Sequence, residues 1–228
     1  MASNLTVLRL DIANISLGSP AQRFLVFVAT GSPSSWVISI DCTSPECSPH
    51  KKYDSSISTT YKPNGTSFAS LSEWGLVKGH ISIDSAQVGD LVVKQQSFGE
   101  VINVSWPFTL AGFDGVLGMG FAQSSGDVQN SFFQNLISLG LLDAPLFSLF
   151  LAKGNMTKNS EILFGGIDTK HFTGALIEIP VRNHSMLWEL ELDALAFGQD
   201  VMISDNYTVT FDSMLSYIRM PSNIVAYL

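Results

Sequence analysis

The sequence predicts a mostly β protein, and three observations carry that expectation. Strand-like apolar runs recur along the 228 residues, while apolar residues at helical spacing are scarce. Gly, Ser and Thr punctuate the chain at short intervals, as turns between strands require. Hydrophobic residues make up 46% and charged residues only 14%, enough apolar material to bury a large core in one or two domains.

The elements follow in order. Residues 5–28, LTVLRLDIANISLGSPAQRFLVFV, read as two strands joined at Leu17-Gly18-Ser19-Pro20, a hairpin that feeds the turn Thr30-Gly31-Ser32. Trp36-Val37-Ile38 continues as a strand. The polar tract from His50 to Ser67 reads as a loop in which Asn64-Gly65 marks a turn, and a strand-like segment resumes at His80. Residues 111–121, AGFDGVLGMGF, crowd small and apolar side chains together. The best helix is SFFQNLISLGLL, residues 131–142, with Phe132, Phe133, Leu136, Ile137 and Leu139 on one face and Gly140 as its stop. Strands are expected again at LFSLFLA, EILFGGID, ALIEIPV, WELELDALAFG and YTVTF.

A formal charge of −8 and the absence of a Lys/Arg cluster exclude nucleic acid as a partner. No apolar run reaches the roughly 18 residues of a membrane helix, and MASNLT lacks a basic-then-apolar leader pattern. Seven of the eleven asparagines stand in N-x-[ST] sequons: Asn4, Asn14, Asn64, Asn103, Asn155, Asn183 and Asn206. They suggest a glycosylated surface and a secreted or endolysosomal address, with any leader peptide outside this chain. Cys42 and Cys47, in DCTSPEC, either close a small disulfide or remain two reduced thiols. His50, His80, His171 and His184 show no metal-ligand spacing, so no metal is expected. Gly118-Met119-Gly120 lacks the third Gly of a dinucleotide fingerprint, GSPSSW is not a nucleophile elbow, and no cofactor is expected.

The order of motifs resembles the pepsin-like aspartic endopeptidases over nearly the whole chain. SLGSPAQRF, ATGSPSSW, the C-x4-C loop, FDGVLGMGF, the helix followed by LFSLFL, LFGGIDTKHFTG and FDSMLSYIRMP occur in family order. The resemblance implies a two-lobed β protein of the acid protease fold, a cleft between the lobes, and one Asp from a turn in each lobe. It places an N-terminal lobe at residues 1–168 and interlobe strands with a partial C-terminal lobe at 169–228. Val116-Leu117-Gly118 supplies the segment that closes the first turn; only sixteen residues follow Asp212, so no equivalent is expected for the second.

Two neighbouring carboxyls cannot both ionise, and the pepsin-like pair is itself the standard illustration. One polarises the peptide carbonyl while its ionised partner takes a proton from the attacking water. Mapped onto this chain, the first position is Ala29 and the second is Asp212. Thr30, Gly31, Ser32 and Ser213 complete the two turns. Met214 stands where the family turn has glycine, and Ser72 where its covering hairpin has tyrosine, with Trp74 and Gly75 beside it. Trp74 is read as covering the cleft or packing in the core. The expectation is a non-catalytic homologue that still binds an extended peptide or protein. The alternatives are an active acid endopeptidase inactivated by an Asp-to-Ala change at 29 and shortened, or a fragment of one. Asp114 is read as a structural hydrogen-bonding residue; Asp84, Glu73 and Glu100 have no partner that sequence assigns.

Overall fold

The computed structural model describes residues 3–6, 12–121, 130–152, 160–183, 185–203, 207–215 and 217–225. Its fourteen described strands are β1 (Ser3–Thr6), β2 (Ile12–Leu17), β3 (Gln22–Ala29), β4 (Trp36–Ile38), β5 (Lys62–Ser72), β6 (Gly75–Val88), β7 (Leu91–Val104), β8 (Gly115–Gly118), β9 (Phe147–Phe150), β10 (Glu161–Phe164), β11 (Glu189–Leu192), β12 (Leu195–Phe197), β13 (Asp200–Ile203) and β14 (Tyr207–Thr210). The described α-helices are α1 (Phe132–Ser138) and α2 (Ser222–Val225).

Seven strands form one sheet in the order β2-β3-β8-β4-β7-β6-β5. Because β2 also pairs with β6, through Ile15 opposite Val88, the first six close on themselves and β5 projects with the end of β6 as a hairpin. The expected hairpin is present: β2 and β3 pair from Ile12 opposite Phe27 to Leu17 opposite Gln22, and Gly18 turns the chain with φ +79°. Strand β3 shows why its sequence reads as a continuous apolar run. Phe24, Val26 and Val28 enter one buried cluster, with Leu117, Phe132 and Leu136, while Phe27 and Ala29 enter another, with Trp36, Ile38, Phe108 and Phe113. Both faces of the strand are covered, so alternation disappears.

Strand β8 lies between β3 and β4, parallel to the first and antiparallel to the second. Phe27, Val28 and Ala29 pair with Val116, Leu117 and Gly118, while Trp36 and Val37 pair with Val116 and Gly115. The two glycines admit this insertion. A Cβ on Gly115 would run into the Trp36 carbonyl oxygen, and one on Gly118 would lie 2.5 Å from the Pro33 carbonyl. Asp114, at the entrance of β8, accepts from the Leu25 amide at 2.9 Å and the Lys51 amide at 2.8 Å, the hydrogen-bonding role expected of it.

Helix α1 begins at Ser131, whose hydroxyl accepts from the Gln134 amide while the Gln134 side chain accepts from the Ser131 amide. Gly140 ends it with φ +64°. Phe132, Phe133 and Leu136 are buried, but Ile137 and Leu139 are 39% and 57% exposed, which narrows the expected apolar face to three residues. Cys42 and Cys47 form a disulfide, which decides between the two readings of DCTSPEC.

Other expectations change. The tract read as a loop through Ser67 already enters β5 at Lys62, because it pairs with β6, and β6 begins at Gly75 rather than His80. Asn64-Gly65 is not a chain reversal: it lies within β5, where Gly65 (φ +78°) sits at a register shift between Pro63 and Ser67, so the dipeptide makes a bulge. ALIEIPV forms no strand, and Leu176, Ile177 and Ile179 are exposed. β1 pairs with β10, Ser3 opposite Phe164, a non-local ladder that the opening residues do not announce. We expect Gly115→Ala to cost about 1–3 kcal/mol by overpacking, read as a lower urea midpoint at unchanged m-value; an unaltered midpoint would refute the close approach of β8 to Trp36.

Candidate active site

Two chain turns meet at the open end of β3 and β8. The first follows β3, at Thr30-Gly31-Ser32; the second follows β14, at Asp212-Ser213-Met214. Hydrogen bonds lock them reciprocally. The Thr30 amide donates to Ser213 Oγ at 3.0 Å, and the Ser213 amide donates to Thr30 Oγ1 at 2.9 Å. Thr30 Oγ1 donates in turn to the Phe211 carbonyl at 2.8 Å, and Ser213 Oγ to the Val28 carbonyl at 2.5 Å. Each hydroxyl thus serves as donor and acceptor at once, which only Ser or Thr does with one short side chain.

Asp212 stands against Gly31. A Cβ on Gly31 would overlap the Asp212 carboxylate, so the glycine is required by the close approach of the second turn. The Met214 amide donates to Asp212 Oδ1 at 2.8 Å. Met214 occupies its place without the glycine that the resemblance implies, its side chain packed against the cluster of Phe27, Ala29 and Trp36. Ala29 is completely buried in that cluster and brings only a methyl group to the end of β3. Gly31, Ser32, Asp212 and Met214 line a cleft of about 410 Å3, together with Trp36 and, on the hairpin side, Ser70 to Glu73.

The hairpin of β5 and β6 overhangs this cleft. Ser72 pairs with Gly75 across the tip residues Glu73 and Trp74, and Gly75 takes φ +96° to complete the turn. Ser72 accepts from the Trp74 amide at 3.2 Å and lines the cleft. Trp74 instead packs edge-on against Phe113, ring centroids 5.5 Å apart, so of its two readings the structure displays packing. The tip is tied across the cleft. Glu73 Oε1 accepts hydrogen bonds from the Tyr217 hydroxyl and from Arg219 Nη2, and the Tyr217 bond foremost holds the Glu73 carboxyl below its ordinary value of 4.5. Arg219 is correspondingly pushed up, Tyr217 again the leading cause.

Outside the cleft, Asp84 and Glu100 find partners in the barrel. Asp84 accepts from Tyr53 Oη and Thr60 Oγ1, both at 2.5 Å, and from the Ser85 amide at 2.7 Å. Burial pushes its carboxyl up, but hydrogen bonds led by Ser58 and Thr60 outweigh this and leave it below the ordinary aspartate value. The same burial, with Asp84 adjoining, pushes Tyr53 upward. Glu100 is buried and accepts from Ser39 Oγ at 2.8 Å and Ser82 Oγ at 2.7 Å, with His80 Nε2 3.3 Å away. His50 is buried beside Phe108, and loss of hydration lowers its pKa. Glu161, Asp168 and His171 bring one polar atom each within 4.8 Å of one another, a grouping their spacing does not reveal; Asp168 also accepts from the Lys170 amide. Asn14, Asn64, Asn103 and Asn183 are exposed, whereas Asn155, Asn206, His184 and the Asn4 side chain lie outside the described residues.

A barrel closed by a threaded strand, carrying an interlocked pair of turns beneath a hairpin, defines a pepsin-like acid protease lobe. Residues 12–228 match the family described as eukaryotic aspartyl protease, and the chain belongs to that family. It is 42% identical to vacuolar protease A of Aspergillus fumigatus over 214 residues, covering 93% of this chain and 54% of the relative. It is 35% identical to vacuolar protease A of Neurospora crassa over 213 residues, 93% and 53% of the two chains. With cathepsin E of Cavia porcellus the identity is 36% over 209 residues, 91% and 53%. The chain spans about half the length of the curated relatives it matches.

Thr30→Val keeps the shape of the side chain but removes the oxygen that serves Phe211 and Ser213. We expect a loss of about 2 kcal/mol, since two polar backbone groups lose their partner; equal urea midpoints for the variant and the parent would show that the interlock does not stabilise the fold.

Proposed function

We propose that this chain is a non-catalytic member of the aspartyl protease family that retains an extended peptide or protein ligand in the cleft between Asp212 and the hairpin. The observation that carries this reading is Ala29. Its buried methyl stands at the strand end from which the partner carboxyl of Asp212 would have to come. With one carboxylate the chain has no acid-base pair: Asp212 ionised accepts a proton from water but leaves the carbonyl without an acid, and protonated it polarises the carbonyl but leaves the water without a base. Removing one member of a catalytic unit costs roughly 10⁴ to 10⁶ in rate. A peptide is held largely through backbone hydrogen bonds and side-chain pockets, which need no dyad.

The division into a lobe at 1–168 and a second part at 169–228 belongs to this proposal. In this reading Thr30 and Ser213 tie the Asp212 turn to the first turn, Gly31 leaves room for the Asp212 carboxylate, Ser32 lines the cleft, and Ser72, Trp74 and Gly75 shape the covering hairpin. A second reading is favoured by the intact interlock of Thr30 and Ser213, which a lost activity does not require. It makes the chain a form of an acid endopeptidase silenced at position 29. The parent chain and Ala29→Asp, incubated with denatured haemoglobin at pH 3–5, separate the two. We expect cleavage by neither; cleavage by the parent would end the first reading, and vigorous cleavage by Ala29→Asp alone would establish the second.

A secretory or vacuolar address is supported by the Cys42–Cys47 disulfide, by the exposure of Asn14, Asn64, Asn103 and Asn183, and by the vacuolar relatives. Protein expressed through a eukaryotic secretory pathway is expected to lose mass in steps of whole glycans on endoglycosidase treatment. A mass equal to the bare polypeptide before treatment would refute the glycosylated surface.

A further inference from the structure

Glu73, Tyr217 and Arg219 meet from opposite sides of the cleft. Glu73 stands at the tip of the β5–β6 hairpin; Tyr217 and Arg219 follow the Asp212 turn. Tyr217 and Arg219 are also ordered by each other. Arg219 Nη2 donates to Tyr217 Oη at 3.2 Å, and its guanidinium lies 5.6 Å from the Tyr217 ring centroid. Together they direct two donors at one carboxylate oxygen, Glu73 Oε1. An arrangement of an Arg and a phenol fixed to one another, with a carboxylate resting on both, is a carboxylate-recognition site whose occupant comes from the same chain.

We propose that Tyr217 and Arg219 form an acid-side-chain subsite at the mouth of the cleft, which Glu73 fills in the unliganded chain and which an Asp or Glu side chain of a bound peptide takes over. The proposal rests on the peptide-binding reading above and adds a preference to it. Exchange is open to solvent: the side chains of Glu73 and Arg219 are 23% and 57% exposed. Exposed ion pairs of this kind hold weakly, so the internal carboxylate yields readily to one presented by a ligand anchored along the rest of the cleft. Arg219 also keeps a counter-charge throughout the swap. Among the described residues, Glu73, Asp212 and Arg219 are the charged ones lining the cleft, and an incoming carboxylate on Arg219 replaces the departing one while Glu73 regains water. A glutamine or an apolar side chain at the same place leaves Arg219 without its counter-charge. The subsite therefore discriminates by charge, and moving Glu73 moves the hairpin tip with it.

Two measurements on the whole chain test this. The probes are the acetylated, amidated hexapeptide Val-Leu-Phe-Leu-Val-Ala and the series in which each residue in turn is replaced by Glu or by Gln. For Glu73→Ala we expect one position at which the Glu peptide binds about fivefold tighter than its Gln counterpart. The preference should be weaker in the parent, where Glu73 competes, and within twofold of unity in Arg219→Gln. Amide hydrogen exchange over residues 71–76 should be severalfold faster in Glu73→Ala and in Arg219→Gln than in the parent. Hairpin exchange identical in all three chains, or a Glu preference that survives Arg219→Gln, would overturn the subsite. Peptides that bind without any Glu preference refute the subsite alone, whereas no peptide bound by any of the three chains refutes both the cleft reading and the subsite built on it.

Discussion

Four residues, Gly115 to Gly118, occupy a slot between β3 and β4 that is one strand wide, and the placement of the turn at residues 30–35 follows from that insertion. The slot exists because β3 and β4 leave their connecting turn together and diverge. Unfilled, it would expose backbone donors and acceptors along both strands inside the apolar clusters, each costing about 1–3 kcal/mol. β8 satisfies them, and the absence of Cβ atoms at its two ends lets it reach the Trp36 and Pro33 backbones. With the slot filled, the turn at residues 30–35 is held on one side. The Ser35 hydroxyl accepts from the Gly118 amide at 3.0 Å, and the Met119 amide donates to the Ala29 carbonyl at 2.8 Å. The second turn docks against this surface through Thr30 and Ser213, and the Trp188 indole donates to the Met119 carbonyl just beyond β8.

The chemistry of the cleft is set by what this rigid frame holds and what it does not. Thr30 and Ser213 keep their donor and acceptor exchange, and Gly31 keeps the space that the Asp212 carboxylate fills. At Ala29 the same frame holds a methyl in an apolar cluster with Met214 beside it. Ala29 lies beneath the cleft rather than on its surface, and Met214 lines it beside the Asp212 carboxylate. The alignment of the turns is independent of the side chain at position 29: the hydrogen bonds that align them run through hydroxyls and main chain.

Much of this was legible in the sequence because the signals are local. The hairpin turn at Gly18 and the Gly140 stop of α1 each follow from backbone chemistry within a few residues, while the closing role of 116–118 came from the family resemblance. What escaped was non-local or depended on context. The β1–β10 ladder joins residues more than 150 apart, and no periodicity encodes such a partner. Asn64-Gly65 has the composition of a reversal, but the continuing pairing of β5 with β6 turned it into a bulge. Ile137 and Leu139 sit at helical spacing yet face away from the strands that α1 covers. Glu73 reads as one acid among twenty until the hairpin carries it to Tyr217 and Arg219.

The exposed run at Leu176, Ile177 and Ile179 bears on how the molecule behaves in solution. An apolar strip of this kind is kept from self-association chiefly by mutual repulsion between molecules, here a formal charge of −8 near neutrality. That repulsion vanishes at the isoelectric point, near pH 4.8. Solutions near pH 4.8, rather than acidic media in general, are thus where this polypeptide is least protected from clumping, and repulsion returns with positive charge at lower pH.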